Sequence, residues 1–440
     1  MRSSILRWCA IAAGAFALVA CASGPSLPES AGFGPNPTLP EPREQTIPYV
    51  NVADARGWAA GEAPTPAAGL AVNAFASGLD HPRWVHVLPN GDVLVAESNA
   101  PANRPDEQRG IRAFFMRLAM RSAGAGAPSA DRITLLRDGD GDGVAETREV
   151  FLQGLHSPFG ITLVGNDLYV ANTDAVVRFP YQPGQTRITA QPTRVVELPA
   201  GPRNHHWTKN VIASPDGSRL YATVGSNSNV GEHGMEVEEG RAAIWEIDRA
   251  TGQHRIFASG LRNPNGMDWE PTSGALWTVV NERDEIGNDL VPDYMTSVRD
   301  GAFYGWPYYY FGTHRDERIE IPANVRLQAA TSPDYALGSH TASLGLVFNR
   351  GDALGARYRG GAFIGQHGSW NRAEPSGYKV IYVPFSNGQP SGPPQDILTG
   401  FLDERENANG RPVGVAIDRR GNLLVADDVG NVIWRVSAAL

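Results

Sequence analysis

The sequence predicts an all-β fold, a six-bladed β-propeller with loop and short helical insertions. Three observations predict it. Glycine (49) and proline (33) are abundant among the 440 residues and punctuate short apolar runs. A strand–turn–strand pattern recurs at intervals averaging roughly 66 residues, the mark of a repeat architecture. Each copy also begins and ends on polar residues. The two outer ends of an antiparallel hairpin share one edge, so these polar groups should gather on one face of the ring.

The propeller should occupy residues 69–440, preceded by two segments of other character. Residues 1–20 carry Arg2 and Arg7 ahead of a short apolar run and read as a lipoprotein signal peptide. The run ends in Leu18-Val19-Ala20-Cys21, which resembles a bacterial lipobox, so Cys21 is the expected site of lipid attachment. The expected location is the bacterial periplasm, tied by that lipid to the outer membrane. Residues 21–68, rich in proline, serine and glutamate over 22–48, are expected to form a flexible tether. A net charge of −9 argues against a nucleic-acid surface.

The copies follow in order. The first sets His81 and Arg83 before strand Trp84–Leu88 and Glu97 after strand Asp92–Ala96. The second runs from His156 through Gly160–Val164 and Asp167–Val170 to Asn172. The third places His205, His206 and Lys209 before Asn210–Ser214, with Ser226 and Asn227 after Arg219–Val224. The fourth has Arg262 and Asn263 before Gly266–Glu270, then Glu282 and Arg283 after Ala275–Val280. The fifth has His340 and Thr341 before Leu344–Asn349, with Gln366 and His367 after Gly361–Gly365. The sixth has Arg411 before Val413–Asp418 and Asp427 after Asn422–Ala426. Ala71–Ala76, ahead of the first copy, is placed to pair with the last blade and close the ring.

Two insertions interrupt the series. Residues 104–129 carry Ile111, Phe114, Phe115 and Leu118 at helical spacing among several arginines. Such a helix packs on the propeller or lies on a membrane surface. Residues 284–340 read as a long loop region containing Tyr304-Gly305-Trp306-Pro307.

Two constellations carry chemistry. The polar ends of the copies predict one concave mouth, rich in imidazole and guanidinium on an otherwise acidic protein. A carboxylated ligand and acid–base chemistry suit such a mouth. Separately, Asp138, Asp140, Asp142, Gly143 and Glu149 match the calcium-loop pattern, with oxygen ligands at alternate positions and glycine at the sharp turn. Its flanks read as strands, so it would sit in a hairpin and serve structure. The chain has no glycine-rich nicotinamide fingerprint and no HExxH motif.

Four stretches resemble the glucose/sorbosone dehydrogenases, the sorbosone branch most of all: HHWTKNVIASPDGSRLYATVGSN, GLRNPNGMDW, GAFYGWP and GRPVGVAIDRRGNLLVAD. The resemblance spans several blades and implies a periplasmic or secreted propeller that oxidises an aldose, sorbosone or related sugar. It implies pyrroloquinoline quinone and Ca2+ as cofactors, and a quinone or cytochrome as electron acceptor. By motif, His206 takes the place of the general base. Arg262 and Asn263 take that of a pair contacting cofactor and substrate. Thr341 and Arg411 match cofactor-side positions; a lysine of the family has no clear match, and Arg372 is the nearest cationic candidate for its place.

The chain departs from that pattern in three places. Ser226 stands where the family has an aspartate that orients the base. Val413 replaces a second arginine, and Asn281-Glu282-Arg283-Asp284 replaces a Gly-Pro loop that holds calcium. Two other readings therefore stay open. One is an envelope propeller that binds carbohydrate or protein without catalysis. The other is a metal-dependent lactonase-like propeller using Glu97, Asn172 and Asp427 in the channel.

Overall fold

Alternating apolar residues flanked by turns pair at every repeat as antiparallel hairpins. In a computed structural model of the chain, residues 26–44, 50–101, 121–323 and 329–439 are described. The inner hairpins are Pro82–Val87 with Val93–Glu97, Ile161–Val164 with Asp167–Ala171, and Val211–Ala213 with Arg219–Val224. Next come Asn263–Trp269 with Leu276–Asn281, Ser343–Phe348 with Ala362–Gln366, and Pro412–Ile417 with Leu423–Asp427. Two further strands extend each hairpin, which gives the expected six blades, here numbered 1 to 6 in this order. Leu70–Ser77 pairs antiparallel with Val432–Ala438 and completes blade 6, closing the ring as anticipated for Ala71–Ala76.

The seams explain the spacing of the repeats. The inner strands of neighbouring blades pack main chain against main chain. A Cβ on Gly266 of blade 4 would come within 2.5 Å of the Leu346 nitrogen of blade 5, and one on Gly414 of blade 6 within 2.8 Å of the Arg83 oxygen of blade 1. Only glycine fits there. Outside this contact each seam has its own apolar core. Trp277, Val279 and Met295 of blade 4, for example, pack with Leu346, Ile364 and Ile381 of blade 5. The mouth residues are thus mounted on rigid strand ends.

Two expectations change. Residues 284–340 are more than a loop: Pro292–Ser297 and Tyr335–Ser339 are the third and fourth strands of blade 4. The described parts of the expected tether lie on the propeller. Phe33–Gly34 adds to the edge of blade 4 and Thr65–Pro66 to the edge of blade 5. Trp58 packs edge-on against Phe401 and Trp434. Open sheet edges offer unpaired main-chain groups, and a proline-rich segment can satisfy them without a hydrophobic pattern of its own. The signal peptide, Cys21 and most of the arginine-rich insertion lie outside the described residues; what is described of that insertion includes a short helical turn, Arg121–Ala125.

Candidate active site at the mouth of the ring

The chain enters the inner strands through strained backbone. His81, Ser157, Asn204 and His340 have φ of 55°, 42°, 37° and 58°, a region L-residues seldom adopt, and they precede the inner strands of blades 1, 2, 3 and 5. Such outliers concentrate where surrounding structure fixes a functional geometry.

His206 stands on the rim of blade 3. Its Nδ1 lies 2.8 Å from the Ser226 main-chain oxygen and 3.0 Å from Ser226 Oγ. A carbonyl only accepts, so Nδ1 carries the hydrogen and Nε2 of the neutral ring is bare. Burial, with the neighbouring His205 and Arg262 charges, holds the His206 pKa well below the usual imidazole value. The ring is therefore neutral at pH 7. Lys209, fully buried, donates from Nζ to the His206 oxygen at 3.0 Å and fixes the rim below the ring. A Cβ on Gly225 would meet both His206 Cβ and Asn263 Oδ1, which puts Asn263 of blade 4 beside the histidine.

Arg262 joins this group but is saturated by protein. Its guanidinium donates to the Asn229 oxygen and Oδ1, to the oxygens of Asn281 and Glu282, and to Asp284 Oδ2 at 3.1 Å. All five donors are engaged, so direct cofactor binding by Arg262 is not what this geometry favours. Asp284 is the hub. It also faces His340 Nδ1 at 3.3 Å and accepts from Asn371 Nδ2 at 2.8 Å. Burial alone would raise the Asp284 pKa, but Arg262 and His340 outweigh it and keep the carboxyl ionised.

The opposite side of the mouth is built around Asp428. Its carboxylate pairs with Arg83, with His367 Nε2 at 2.9 Å and with His81 Nε2 at 3.4 Å. Arg83 lies 5.8 Å from the ring centres of both Phe159 and Trp207, so blades 1, 2 and 3 meet across one cation. Burial lowers the His367 pKa to about 4, despite Asp428. Arg411 stacks 5.1 Å over Tyr378 and donates from Nη2 to the Ala53 oxygen. Beside Asp428, a cavity of ≈ 450 Å³ is lined by Asp80, His81, Ser129, Arg132 and Asn431 among others.

Two further assignments shift. Arg372 turns away from this group; it donates to the Asn288 and Glu374 oxygens and to Asp289 Oδ1, while its neighbour Asn371 faces Asp284. Thr341 is fully buried and its hydroxyl bonds Asp293 and Ser343, which props the blade 5 rim. Asp284 and Asp428, missed in the sequence, each stand next to polar residues already singled out. Asp427 ends its strand facing the blade, where its carboxylate accepts from Trp58 Nε1 and Trp434 Nε1. The next residue, Asp428, meets the mouth.

The acidic loop lies elsewhere. It joins the third and fourth strands of blade 1, Arg132–Arg137 and Thr147–Gln153, at their ends away from the mouth. Asp138, Asp140, Asp142 and Glu146 converge there, and they are the one potential metal-ligand group of this kind among the described residues. Glu149 is not among them. It sits within the fourth strand, opposite Leu135, its carboxylate 4.0 Å from Arg187. Extended backbone carries position 149 away from the loop, where a helix would return it. Glu97 and Asp427 are likewise held by protein donors, Arg132 and Thr134 for Glu97 and the two indoles for Asp427, so no lactonase-like carboxylate set faces the channel among the described residues.

Comparison with known proteins gives a consistent picture. A family model described as TrAA12-like matches residues 130–298 and 323–439. An uncharacterized protein of Borreliella burgdorferi is 27% identical over 307 residues, covering 67% of this chain and 79% of that protein. A pyrroloquinoline quinone-dependent pyranose dehydrogenase of Coprinopsis cinerea is 23% identical over 92% of this chain; this chain spans 56% of that longer protein. The holo form of the PQQ domain of a Coprinopsis cinerea pyranose dehydrogenase superposes with a TM-score of 0.67 at 22% identity, covering 88% of this chain and 100% of that one. At that identity the superposition shows the shared propeller fold.

Proposed function

This chain belongs to the TrAA12-like family, and from that premise we propose that it is a quinoprotein oxidoreductase acting on an aldose, sorbosone or a related sugar. The observation that carries the proposal is the bare Nε2 of a neutral His206 on the rim of a mouth lined with guanidinium and imidazole groups. The mouth also fits an anionic, polycarboxylated planar cofactor. Buried polar atoms without a partner gather there: Arg83 Nε, Arg411 Nε, Asn263 Oδ1, Asn371 Oδ1 and Gln366 Oε1. A ligand with carboxylate and carbonyl groups would complete them. Pyrroloquinoline quinone, when bound, supplies an electrophilic ortho-quinone that accepts hydride.

The chain's own residues would then act as follows. Arg411 and Arg83 hold carboxylates, since a planar guanidinium can bind them at two points. Asn263, adjacent to His206, orients a sugar hydroxyl. His206 Nε2 takes the hydroxyl proton as the carbon it bears is oxidised, and general-base help of this kind contributes typically about 10²–10⁴-fold. Arg262 keeps the Asn281–Glu282 carbonyls and Asp284 in place.

Calcium belongs in this reading to the loop of Asp138, Asp140, Asp142 and Glu146, where it would brace blades 6 and 1. Arg420 of blade 6 already donates to the Gly141 oxygen there. The amino-terminal sequence supports lipidation at Cys21 and a periplasmic setting, with a quinone or cytochrome taking the electrons. The test is reconstitution of purified protein with pyrroloquinoline quinone and calcium, followed by dye reduction across a panel of aldoses. Sugar-dependent reduction supports the proposal; sugar binding by calorimetry with no reduction would favour a non-catalytic carbohydrate-binding propeller.

A further inference from the structure

We infer that Glu238 is a positioning residue for His206, acting through the Ser226–Ser228 turn; the inference rests on the reading of His206 as the base. His206 has no carboxylate on Nδ1. Its acceptor is a main-chain oxygen, and a main-chain oxygen is only as well placed as the turn that carries it.

That turn is tied from several sides. The Ser226 nitrogen donates to the Arg262 oxygen at 2.7 Å, and Ser226 Oγ donates to the Ser228 oxygen at 2.7 Å. Glu238 anchors the rest. It is 5% exposed, accepts from the Asn227 nitrogen at 2.6 Å, and accepts from Ser228 Oγ. Ser228 Oγ in turn receives the Gly231 nitrogen at 2.9 Å. One buried carboxylate thus holds both residues that follow Ser226. Glu232, the other acid of this stretch, is occupied by the Asn229 and Val230 nitrogens and does not reach the histidine.

The consequence is chemical. While the Ser226 oxygen stays in line with Nδ1, the hydrogen is kept on Nδ1 and the lone pair on Nε2. Without the Glu238 carboxylate, the buried Asn227 nitrogen and Ser228 hydroxyl lose their acceptor, and such groups are costly to leave unmade. The turn then rearranges, Nδ1 loses its acceptor, and the Nε2–H tautomer becomes populated. That tautomer presents a donor where the reaction needs an acceptor.

The test uses the full chain with ¹⁵N-labelled histidine and no cofactor. The wild-type His206 ring should show one tautomer, Nδ1–H, through the neutral range. Glu238→Ala, which removes both acceptor oxygens, should give a tautomer mixture. In the reconstituted enzyme the same variant should lower kcat about tenfold or more at unchanged KM, and Glu238→Asp should restore part of it. If Glu238→Ala does not fold, Ser228→Ala removes the hydroxyl half of the link and should shift the tautomers in the same direction. A variant that keeps the single tautomer and the wild-type pH profile, even with a lower Tm, would overturn the inference. The tautomer is read without turnover, so an enzyme that oxidises no sugar would sink the proposed function while leaving the positioning result intact.

Discussion

The main-chain oxygen of Ser226 receives the Nδ1 hydrogen of His206 at 2.8 Å, in a place where an acidic side chain would raise the basicity of the ring. A neutral acceptor orients the imidazole and stabilises its protonated form less than a carboxylate would. Burial, His205 and Arg262 depress the pKa, and the hydrogen bond to the Ser226 carbonyl, which works upward, does not outweigh them.

The pH profile should follow. A base must be neutral to act, so kcat/KM should rise as pH increases through the His206 pKa and stay flat above it. Because that pKa is lowered, the acid limb should fall below the unperturbed value of about 6.5. Steady-state kinetics of the reconstituted enzyme across pH would show this. A limb centred above that value would mean that another group titrates.

His367 should make the fold sensitive to mild acid. Its folded-state pKa is lowered to about 4 by burial. Between that value and the unfolded value of about 6.5 the unfolded chain binds the extra proton, so stability falls as pH drops through this window. The loss should reach roughly 3 kcal/mol for a shift of this size. Urea denaturation of wild type and His367→Gln should differ in slope across the window and run parallel above it; equal slopes would remove His367 as the cause.

Trp58 should be a structural member of the propeller. Its indole packs edge-on against Phe401 and Trp434, and Nε1 donates to Asp427 at 2.7 Å. Trp58→Ala removes both, so it should destabilise by about 3 kcal/mol, measured as a fall in the urea midpoint. A freely flexible segment would show no change.

The acidic loop gives a prediction that separates its two candidate glutamates. Calcium should raise the Tm of the wild type, and Asp138→Asn should remove the effect. Glu146→Gln should weaken calcium binding in titration calorimetry, whereas Glu149→Gln should leave it unaltered. The reverse order would restore the ligand set expected from the sequence pattern.

How much of this was legible follows from which interactions are local. The hairpins were readable because strand alternation and turn residues repeat within a few positions, and Arg219–Val224 was placed with both its ends right. The closing strand was readable because its partner had to be the last blade. The pairs Arg262–Asp284, His367–Asp428 and Arg83–Asp428 were not, since the first joins the two ends of the blade 4 hairpin and the other two join blades, all through side-chain reach. Glu149 was misplaced because the loop pattern presumes a following helix, while a strand begins at Thr147. The contacts of Phe33–Gly34 and Thr65–Pro66 with the blades were not legible because main-chain pairing at a sheet edge leaves little mark on composition.

The central claim is that His206 is the base for sugar oxidation on a bound quinone. The most direct measurement is an anaerobic single turnover, following the bound-quinone absorbance after mixing with an aldose, in wild type and His206→Ala. The account predicts equal cofactor binding in both and a reduction rate lower by about 10²-fold or more in the variant. Equal rates in the two proteins would contradict it.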